Sequence, residues 1–241
     1  MNINAAYYSS KGRRARNEDS ISLLENSNNV IAIVADGLGG EGGGDDASLT
    51  AVKAVSGRLS GGNPTANEIT RAIAKANEEI IKSHNDKIKM KSTVAVLSMS
   101  RERSFAANIG DTRIYQIRDN RIIFQSIDHS VSQMSVNVGE INAEEIRNHI
   151  DRNRLTKALG AQESVEADLS ELSLRNGDAF LLCSDGFWEY VFENEMCVDL
   201  SESANADVWL SKMRNRVESR IKPTGDNHSA IAIIVRSKGN Y

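Results

Sequence analysis

The sequence is poor in the residues that mark several common classes of protein. Its 241 residues include two cysteines, Cys183 and Cys197, which are too few for a disulfide framework and lack metal-ligand spacing. Aromatic residues make up 5%, which argues against a stacking platform for single-stranded nucleic acid. No apolar run approaches the roughly 20 residues of a membrane-spanning helix, and residues 1–10 lack the order of a signal peptide. We therefore expect a cytosolic protein with reduced thiols.

The charge balance and the scarcity of proline further restrict the possible partners and the number of domains. Lysine and arginine number 29 against 33 aspartates and glutamates, so the net charge of −4 argues against nucleic acid as a partner. Hydrophobic residues at 40% are enough for one substantial core. Only two prolines occur, and no Ser/Gly/Pro-rich linker interrupts the chain. We expect a single domain over residues 1–241.

Hydrophobic periodicity predicts both strands and helices. Short β-branched runs bounded by turn residues predict strands at 30–35, 93–99, 104–109, 113–117, 121–125, 179–183 and 230–235, with another beginning near Ser20. Apolar residues three or four apart predict helices at 46–59, 66–83 and 206–219. Thr65 and Glu68 have the spacing of a capping box at the start of the second helix. The pattern is mixed, which indicates the α+β class.

The segment 105–117 reads as two strands joined at Gly110–Asp111. A tight turn between adjacent strand patterns is typical of a β-hairpin. We therefore predict that these two strands pair with each other and that the sheets are antiparallel, with helices covering them.

Acidic residues stand at the ends of several predicted strands. Asp36 and Asp185 each end an apolar strand and are each followed by glycine. The other acidic positions of this kind are Glu18, Asp19, Asp111 and Asp226. One Asp–Gly pair would indicate only a turn. Several carboxylates gathered at one edge would repel one another unless hard divalent cations neutralise them, and oxygen ligands favour magnesium or manganese over zinc.

A glycine-rich stretch, residues 36–48, leads directly into the first predicted helix. Such a stretch can form a phosphate cradle at a helix N-terminus. It is not a Walker loop, because the Gly–Lys–Ser/Thr ending is missing, and the acidic Asp45 and Asp46 stand where an anion would dock. A turn that carries a metal ion fits these charges better.

Together these motifs resemble the metal-dependent protein phosphatases of type 2C in their compact bacterial form. The matching segments cover nearly the whole chain in order: 14–20, 36–48, 92–93, 110–115, 128–130, 155–160, 182–189 and 226–227. The resemblance implies a four-layer α/β/β/α sandwich with two central antiparallel sheets. It also implies a centre of two Mn²⁺ or Mg²⁺ ions at one end of the sandwich.

The resemblance implies a role for each site residue. Asp36 resembles the bridging ligand, the carbonyl of Gly37 a further ligand, and Asp185 and Asp226 hold the first metal. Glu18 and Asp19 help to hold the second through waters. Asp111 with Asp185 resembles a third metal site. Arg14 resembles the arginine that grips the substrate phosphate, with Arg13 and Arg16 as fallbacks.

The implied activity is hydrolysis of phosphoserine and phosphothreonine by direct attack of a metal-bridging hydroxide. The implied partners are phosphorylated proteins and a cognate serine/threonine kinase, and the chain is expected to act as a monomer. Residues 131–154 correspond to the flap of the family, which we assign to substrate choice. Two alternatives stay open: a catalytically silent phosphoprotein-binding regulator, and a hydrolase of small phosphate esters. The intact acidic set argues against the silent regulator.

Two further positions, Leu38 and His228, bear on which side chains take part in the chemistry. Leu38 stands where some members carry a histidine that is a proposed general acid, and leucine cannot donate a proton. His228 lies in polar surroundings and is predicted to be a solvated side chain rather than a ligand.

Overall fold

The computed structural model describes residues 2–26, 29–39, 42–85 and 89–236. The strands are β1 Asn2–Ser10, β2 Asp19–Glu25, β3 Asn29–Asp36, β4 Val94–Ser100, β5 Ser104–Ile109, β6 Arg113–Arg118, β7 Arg121–Gln125, β8 Asp168–Leu172, β9 Ala179–Cys183 and β10 His228–Arg236. The helices are α1 Gly44–Leu59, α2 Ala66–Lys82, α3 Val131–Asn137, α4 Asp185–Trp188, α5 Glu193–Ser201 and α6 Ala206–Arg220, with a 3-10 helix at Ala143–Asn148.

The strands form two five-stranded antiparallel sheets. The order is β1-β10-β9-β6-β7 in the first sheet and β2-β3-β4-β5-β8 in the second. Both sheets therefore place strands from distant parts of the chain side by side. The N-terminal strand β1, for example, pairs along its whole length with β10.

Three apolar clusters divide the molecule into four layers. One cluster lies between the sheets and includes Val34, Leu97 and Phe180. A second lies between the sheet of β2–β5 and the helices α1 and α2. The third joins the other sheet to α5 and α6, with Trp209 fully buried. Strands with both faces covered read as continuous apolar runs, which explains why β4 and β9 were easy to recognise in the sequence. The predicted α/β/β/α sandwich is confirmed.

Most predicted elements are present within one or two residues of their expected ends. The capping box at the start of α2 is confirmed: the Thr65 amide donates to Glu68 Oε2 at 2.7 Å, and the Glu68 amide lies 3.4 Å from Thr65 Oγ1. Two strands, β1 and β8, and three helices, α3, α4 and α5, were not predicted. β1 is rich in Asn, Ala and Ser, which have weak strand preference, so its pairing with β10 determines its conformation.

The hairpin predicted across Gly110–Asp111 is wrong. β5 pairs with β4 and β8, whereas β6 pairs with β7 and β9 in the other sheet. The short link between β5 and β6 therefore crosses from one sheet to the other. Gly110 has φ +94°, a left-handed conformation that glycine adopts without strain, and this turns the chain at the crossing. As a result, Asp111 lies between the ends of the two sheets.

Candidate metal centre and active site

Four aspartates come from strand ends at one end of the sandwich. Asp36 is the last residue of β3 and lies directly opposite Asp19, the first residue of β2. Asp185 follows β9 and begins α4, and Asp226 precedes β10 in the same sheet as β9. Each apolar strand thus delivers one carboxylate to the rim, and the antiparallel pairing brings the carboxylates of both sheets together.

The carboxylates of this cluster affect one another's ionisation. Removal from water raises the pKa of Asp36 well above its ordinary value, and the charges of Asp19, Asp185, Asp111 and Asp226 raise it further. The pKa of Asp185 is also well above its ordinary value, because of burial first and then because of Asp111 and other acidic neighbours. These carboxylates therefore cannot all stay ionised near neutral pH unless cations compensate their charge.

Asp111 lies deepest in this group. Its side chain is buried, and burial raises its pKa to about 7, with a further contribution from Asp128. Its backbone carbonyl accepts a hydrogen bond from Trp188 Nε1 at 2.9 Å. This bond ties the link between the sheets to the end of α4, so Asp111 and Asp185 are positioned by one rigid connection.

Two buried carboxylate oxygens in the cluster have no hydrogen-bond partner in the described structure: Asp19 Oδ1 and Asp185 Oδ1. The other oxygen of Asp19 accepts a hydrogen bond from Ser184 Oγ at 2.8 Å. Burial raises the pKa of Asp19 to about 7. Buried oxygens without donors are costly unless something satisfies them, and hard divalent cations take oxygen ligands of this kind.

The carboxylate oxygens lie in one region of the molecule, but they do not surround a single position as the ligands of a bound ion do. Among the described residues, no group of three or more His, Cys, Asp or Glu side chains is placed so that it could hold a metal ion as it stands. The donor set nevertheless fits magnesium or manganese, because it consists of carboxylates that raise one another's pKa.

Glu18 is held against the glycine-rich turn at the edge of this cluster. Its amide donates to Asn227 Oδ1 at 2.8 Å. A Cβ atom on Gly39 would displace the carboxylate of Glu18 from its present position, so the absence of a side chain at Gly39 allows this close approach. Burial raises the pKa of Glu18, and the charges of Asp45 and Asp226 raise it further. The glycine-rich turn therefore borders a carboxylate, which agrees with a metal-bearing turn better than with a phosphate cradle.

The peptide between Asp36 and Gly37 is fixed by the neighbouring strand. The Asp36 carbonyl accepts hydrogen bonds from the Thr93 amide at 2.8 Å and from Ser92 Oγ at 2.9 Å. The Gly37 amide donates to the Glu18 carbonyl at 3.1 Å. These bonds leave Asp36 and Gly37 in a defined position beside Asp19.

Arg14 lies at the mouth of the cluster. Its Nη2 donates to Asp226 Oδ2 at 2.6 Å, and 55% of its side chain is exposed. The two fallback arginines are placed differently. Arg16 Nη1 lies 3.8 Å from Asp45 Oδ2, and the Arg13 amide donates to the Gly225 carbonyl at 3.2 Å. All three arginines belong to one loop, and Arg14 is the one bonded to a carboxylate of the candidate centre.

Sequence reasoning did not assign roles to several residues that build the site. Asn227 donates to the carbonyls of Lys11 and Arg16 at 2.9 and 2.8 Å, so it holds the arginine loop. Glu189 lies one turn after Asp185, and its charge raises the pKa of Asp185. Both residues lie inside motifs that were recognised in the sequence, close to the predicted ligands Asp185 and Asp226. This position could have indicated that they help to build the site.

The prediction that His228 is solvated is wrong. Its side chain is fully buried, and Nδ1 lies 3.0 Å from the Tyr8 hydroxyl. Burial lowers its pKa. The first position of β10 faces the layer under α6, and this tertiary environment was not visible in the polar residues around it.

A sandwich that gathers carboxylates from both sheets at one rim indicates a metal-dependent hydrolase. The sequence profile of the protein phosphatase 2C family matches residues 8–224, and the chain belongs to this family. It is 35% identical to the serine/threonine phosphatase stp of Listeria welshimeri, over 87% of this chain and 89% of that protein.

Solved structures agree with this family assignment. Serine/threonine phosphatase Stp1 from Staphylococcus aureus superposes with a TM-score of 0.87 at 25% identity, over 98% of this chain and 96% of that one. The catalytic domain of the phosphatase PstP in complex with two manganese ions gives a TM-score of 0.83 at 25% identity, over 98% and 99% of the two chains. The chain thus has the fold of the family over nearly its whole length.

Proposed function

We propose that this protein removes phosphate from phosphoserine and phosphothreonine in other proteins, with two Mn²⁺ or Mg²⁺ ions as cofactors. The observation that carries the proposal is the group of carboxylates from both sheets whose pKa values are raised by burial and by one another. The family membership and the relative with two bound manganese ions support it.

The proposed ligands are Asp36, the Gly37 carbonyl, Asp185 and Asp226, with Glu18 and Asp19 acting through waters. Asp111 and Asp185 would hold a third ion. Divalent cations at such a site activate water as a nucleophile and neutralise charge on the phosphoryl oxygens. The orphaned oxygens of Asp19 and Asp185 support this assignment, since both are buried and have no described donor.

Arg14 is proposed to bind the substrate phosphate. Its planar donors fit two phosphoryl oxygens and keep their charge at every working pH. In this structure its partner is Asp226, and an exposed pair of this kind stabilises the protein by about 1 kcal/mol or less. Arg14 can therefore exchange that carboxylate for a phosphoryl group at little energetic cost once the charge of Asp226 is neutralised.

The wider setting is part of the same proposal. We infer that residues 1–241 form one catalytic domain that acts as a monomer in the cytoplasm and reverses the action of a serine/threonine kinase. Among the described helices, none is both long enough and apolar enough to cross a bilayer. The flap at 131–154 is proposed to select substrates, because loops beside a site commonly discriminate among partners.

The test is Mn²⁺-dependent phosphate release from a phosphothreonine peptide by Asp36→Asn and Asp185→Asn. We expect both variants to lose roughly 100-fold or more of the activity, since each removes a charge from the candidate centre. Asp207→Asn is the matched control, because it makes the same change at an exposed position on α6. Wild-type activity in Asp36→Asn would refute the site. Faster hydrolysis of nucleotides than of phosphopeptides would favour the small-ester alternative.

A further inference from the structure

Four of the eight residues that line a cavity beside the candidate centre are basic. It has a volume of about 300 Å³ and lies between the flap, the end of α4 and the end of α6. Its charged lining consists of Arg147, Arg152, Arg220, Lys222 and one acid, Glu189. In a protein with a net charge of −4, four cations around one small cavity indicate a site for an anion.

The guanidinium of Arg147 is held in place but incompletely satisfied. Its side chain is 7% exposed, and Nη2 donates to Glu193 Oε1 at 2.6 Å. The centre of its guanidinium lies 5.2 Å from the Phe192 ring centroid and 5.5 Å from that of Trp188. Its Nη1 is buried with no acceptor among the described residues. A buried cationic donor without an acceptor is unfavourable, so Glu193 alone does not satisfy the hydrogen-bonding capacity of this guanidinium.

Two further arginines of the cavity are fixed by neighbouring acids. Arg220 donates to both carboxylate oxygens of Glu195, at 2.6 and 2.7 Å, and to the Tyr190 carbonyl at 2.8 Å. Arg152 Nε donates to Glu189 Oε1 at 2.6 Å. A guanidinium carries five N–H donors, so one carboxylate partner leaves donors for a ligand. Lys222 is exposed at the cavity mouth and adds a charge there.

The cavity adjoins the site where phosphate would be released. Glu189, which lines it, donates its amide to the Asp185 carbonyl at 2.9 Å, one helical turn away. Four residues of helix span about 6 Å, and one residue of extended peptide spans about 3.3–3.6 Å. A substrate residue two or three positions from the phosphoresidue can therefore reach the cavity.

We propose that this cavity binds an anionic side chain of the phosphoprotein substrate, a carboxylate or a second phosphate, two or three positions from the residue that is dephosphorylated. The inference rests on the proposed phosphatase function and deepens it, because it names acidic or multiply phosphorylated segments as the preferred substrates. The basic lining attracts such segments, and the donors of Arg147 and its neighbours bind the anion.

The test compares phosphothreonine peptides that carry glutamate or lysine two and three positions from the phosphothreonine, in separate sets before and after it. The readout is the ratio of kcat/KM for the glutamate peptide to that for the lysine peptide. We expect a ratio of about ten for the wild type in one set, which corresponds to one charge-assisted contact. A ratio on one enzyme sample is insensitive to the fraction of folded protein.

Lys222→Glu and Arg147→Gln should bring this ratio close to one. Lys53→Glu, an exposed charge reversal on α1 in the layer over the other sheet, should retain it. In a third set of peptides, phosphothreonine replaces the glutamate. If the phosphothreonine peptide is preferred over the glutamate peptide, the cavity binds a phosphate; if the glutamate peptide is preferred, it binds a carboxylate. Both outcomes support the inference. A wild-type ratio near one in both sets, or an unchanged ratio in Lys222→Glu, overturns it.

Hydrolysis of p-nitrophenyl phosphate separates this inference from the proposed function, because that substrate has no neighbouring residues. An enzyme active on it with no peptide preference contradicts the cavity assignment alone. A protein inactive on every substrate contradicts the phosphatase proposal. Fluorescence anisotropy with the same labelled peptides then still tests the cavity, since the preference for acidic peptides should appear in binding.

Discussion

Aspartates are removed from water in two regions of this molecule under opposite electrostatic conditions. The first, called here the paired region, consists of three separate sites where each buried aspartate is paired with the guanidinium of one arginine; these residues are Asp128, Asp178 and Asp199. In the second region the aspartates face one another at the sandwich rim; these residues are Asp19, Asp36, Asp111 and Asp185. In the part of the chain that the structure describes, none of these four forms an ion pair with lysine or arginine.

The difference separates aspartates whose charge an arginine compensates from aspartates whose charge no described lysine or arginine compensates. A paired buried carboxylate is compensated within the protein, and removal of its charge leaves an isolated cation. An unpaired group of carboxylates is destabilised by its own charges, so cations or protons must compensate it. The two regions should therefore respond in opposite directions when a charge is removed.

The largest effect on stability is expected for Asp128→Asn in the paired region. Asp128 accepts from Arg113 Nη2 at 2.6 Å and from Nε at 2.9 Å, and both side chains are at most 3% exposed. Loss of the carboxylate charge leaves the buried guanidinium with only the more distant Glu193, 3.5 Å from Nη1, as a described acidic partner, at a cost of roughly 3–5 kcal/mol. In a chain of this length that lowers Tm by about 6–20 °C.

Thermal unfolding in excess chelator measures this effect without a contribution from metal. Asp207→Asn, the exposed control on α6, should unfold within a degree or two of the wild type. An Asp128→Asn variant with the wild-type Tm would show that this ion pair does not stabilise the fold.

Cation removal should produce the next largest effect, through the unpaired region. Burial raises the pKa of Asp19 and of Asp111 to about 7, from ordinary values near 4. Between about pH 4 and pH 7 the native state thus holds protons that the unfolded state has released. The free energy of unfolding of the metal-free protein should fall as pH rises through that window.

Manganese should reverse this loss. At 100 times its dissociation constant a bound ion stabilises the native state by about 2.7 kcal/mol, which raises Tm by roughly 5–10 °C. The increase should be largest near and above pH 7, where the ions do not compete with protons for the carboxylates. The measurement is Tm from pH 4.5 to pH 8, with chelator and with Mn²⁺. Equal Tm values with and without the ion at pH 8 would contradict the metal assignment.

Asp185→Asn sharpens the comparison because it removes a charge from the unpaired region. In chelator at pH 8 we expect this variant to unfold at a higher temperature than the wild type, by roughly 2–8 °C, which corresponds to about 1–2 kcal/mol. The physical reason is that the charges of Asp111 and Glu189 oppose the ionisation of Asp185. A lower Tm in chelator would place Asp185 with the structural aspartates instead.

Local sequence patterns predicted the parts of the fold that depend on local burial. β3, β4 and β9 were recognisable because both of their faces are covered by apolar layers. The pairing of β6 with β9 was not recognisable, since Arg113 and its partner Cys183 lie far apart in the sequence. The predicted hairpin at Gly110 failed for this reason: a short link can join two sheets as readily as two paired strands.

The candidate site was predictable for a different reason. Its carboxylates stand at strand ends in recognisable motifs, so their gathering at one edge could be predicted without tertiary structure, whereas their role as ligands stays a prediction. What sequence could not supply was the balance of charge around each carboxylate. Asp128 and Asp111 both lie in recognised motifs, yet Arg113 compensates the first, and the charges of Asp128 and Glu189 raise the pKa of the second.

The smallest effect on stability is expected for Arg14→Ala, although its effect on activity should be large. Arg14 and Asp226 form an exposed pair, 55% and 40% accessible, so loss of the guanidinium should change stability by less than about 1 kcal/mol. If Arg14 binds the substrate phosphate, kcat/KM on a phosphopeptide should fall by roughly 10- to 100-fold, the value of about one charged hydrogen bond.

The Arg14→Lys variant tests whether phosphate binding needs the paired donors of a guanidinium or only a positive charge. Lysine retains the charge but cannot present paired donors to two phosphoryl oxygens, so it should recover only part of the activity. Arg101→Ala, in the exposed turn between β4 and β5, controls for loss of a surface charge. A greater loss for Arg13→Ala or Arg16→Ala than for Arg14→Ala would transfer the phosphate-binding role to that neighbour. Because stability should barely change in any of these variants, a loss of activity reports on substrate binding rather than on the fold.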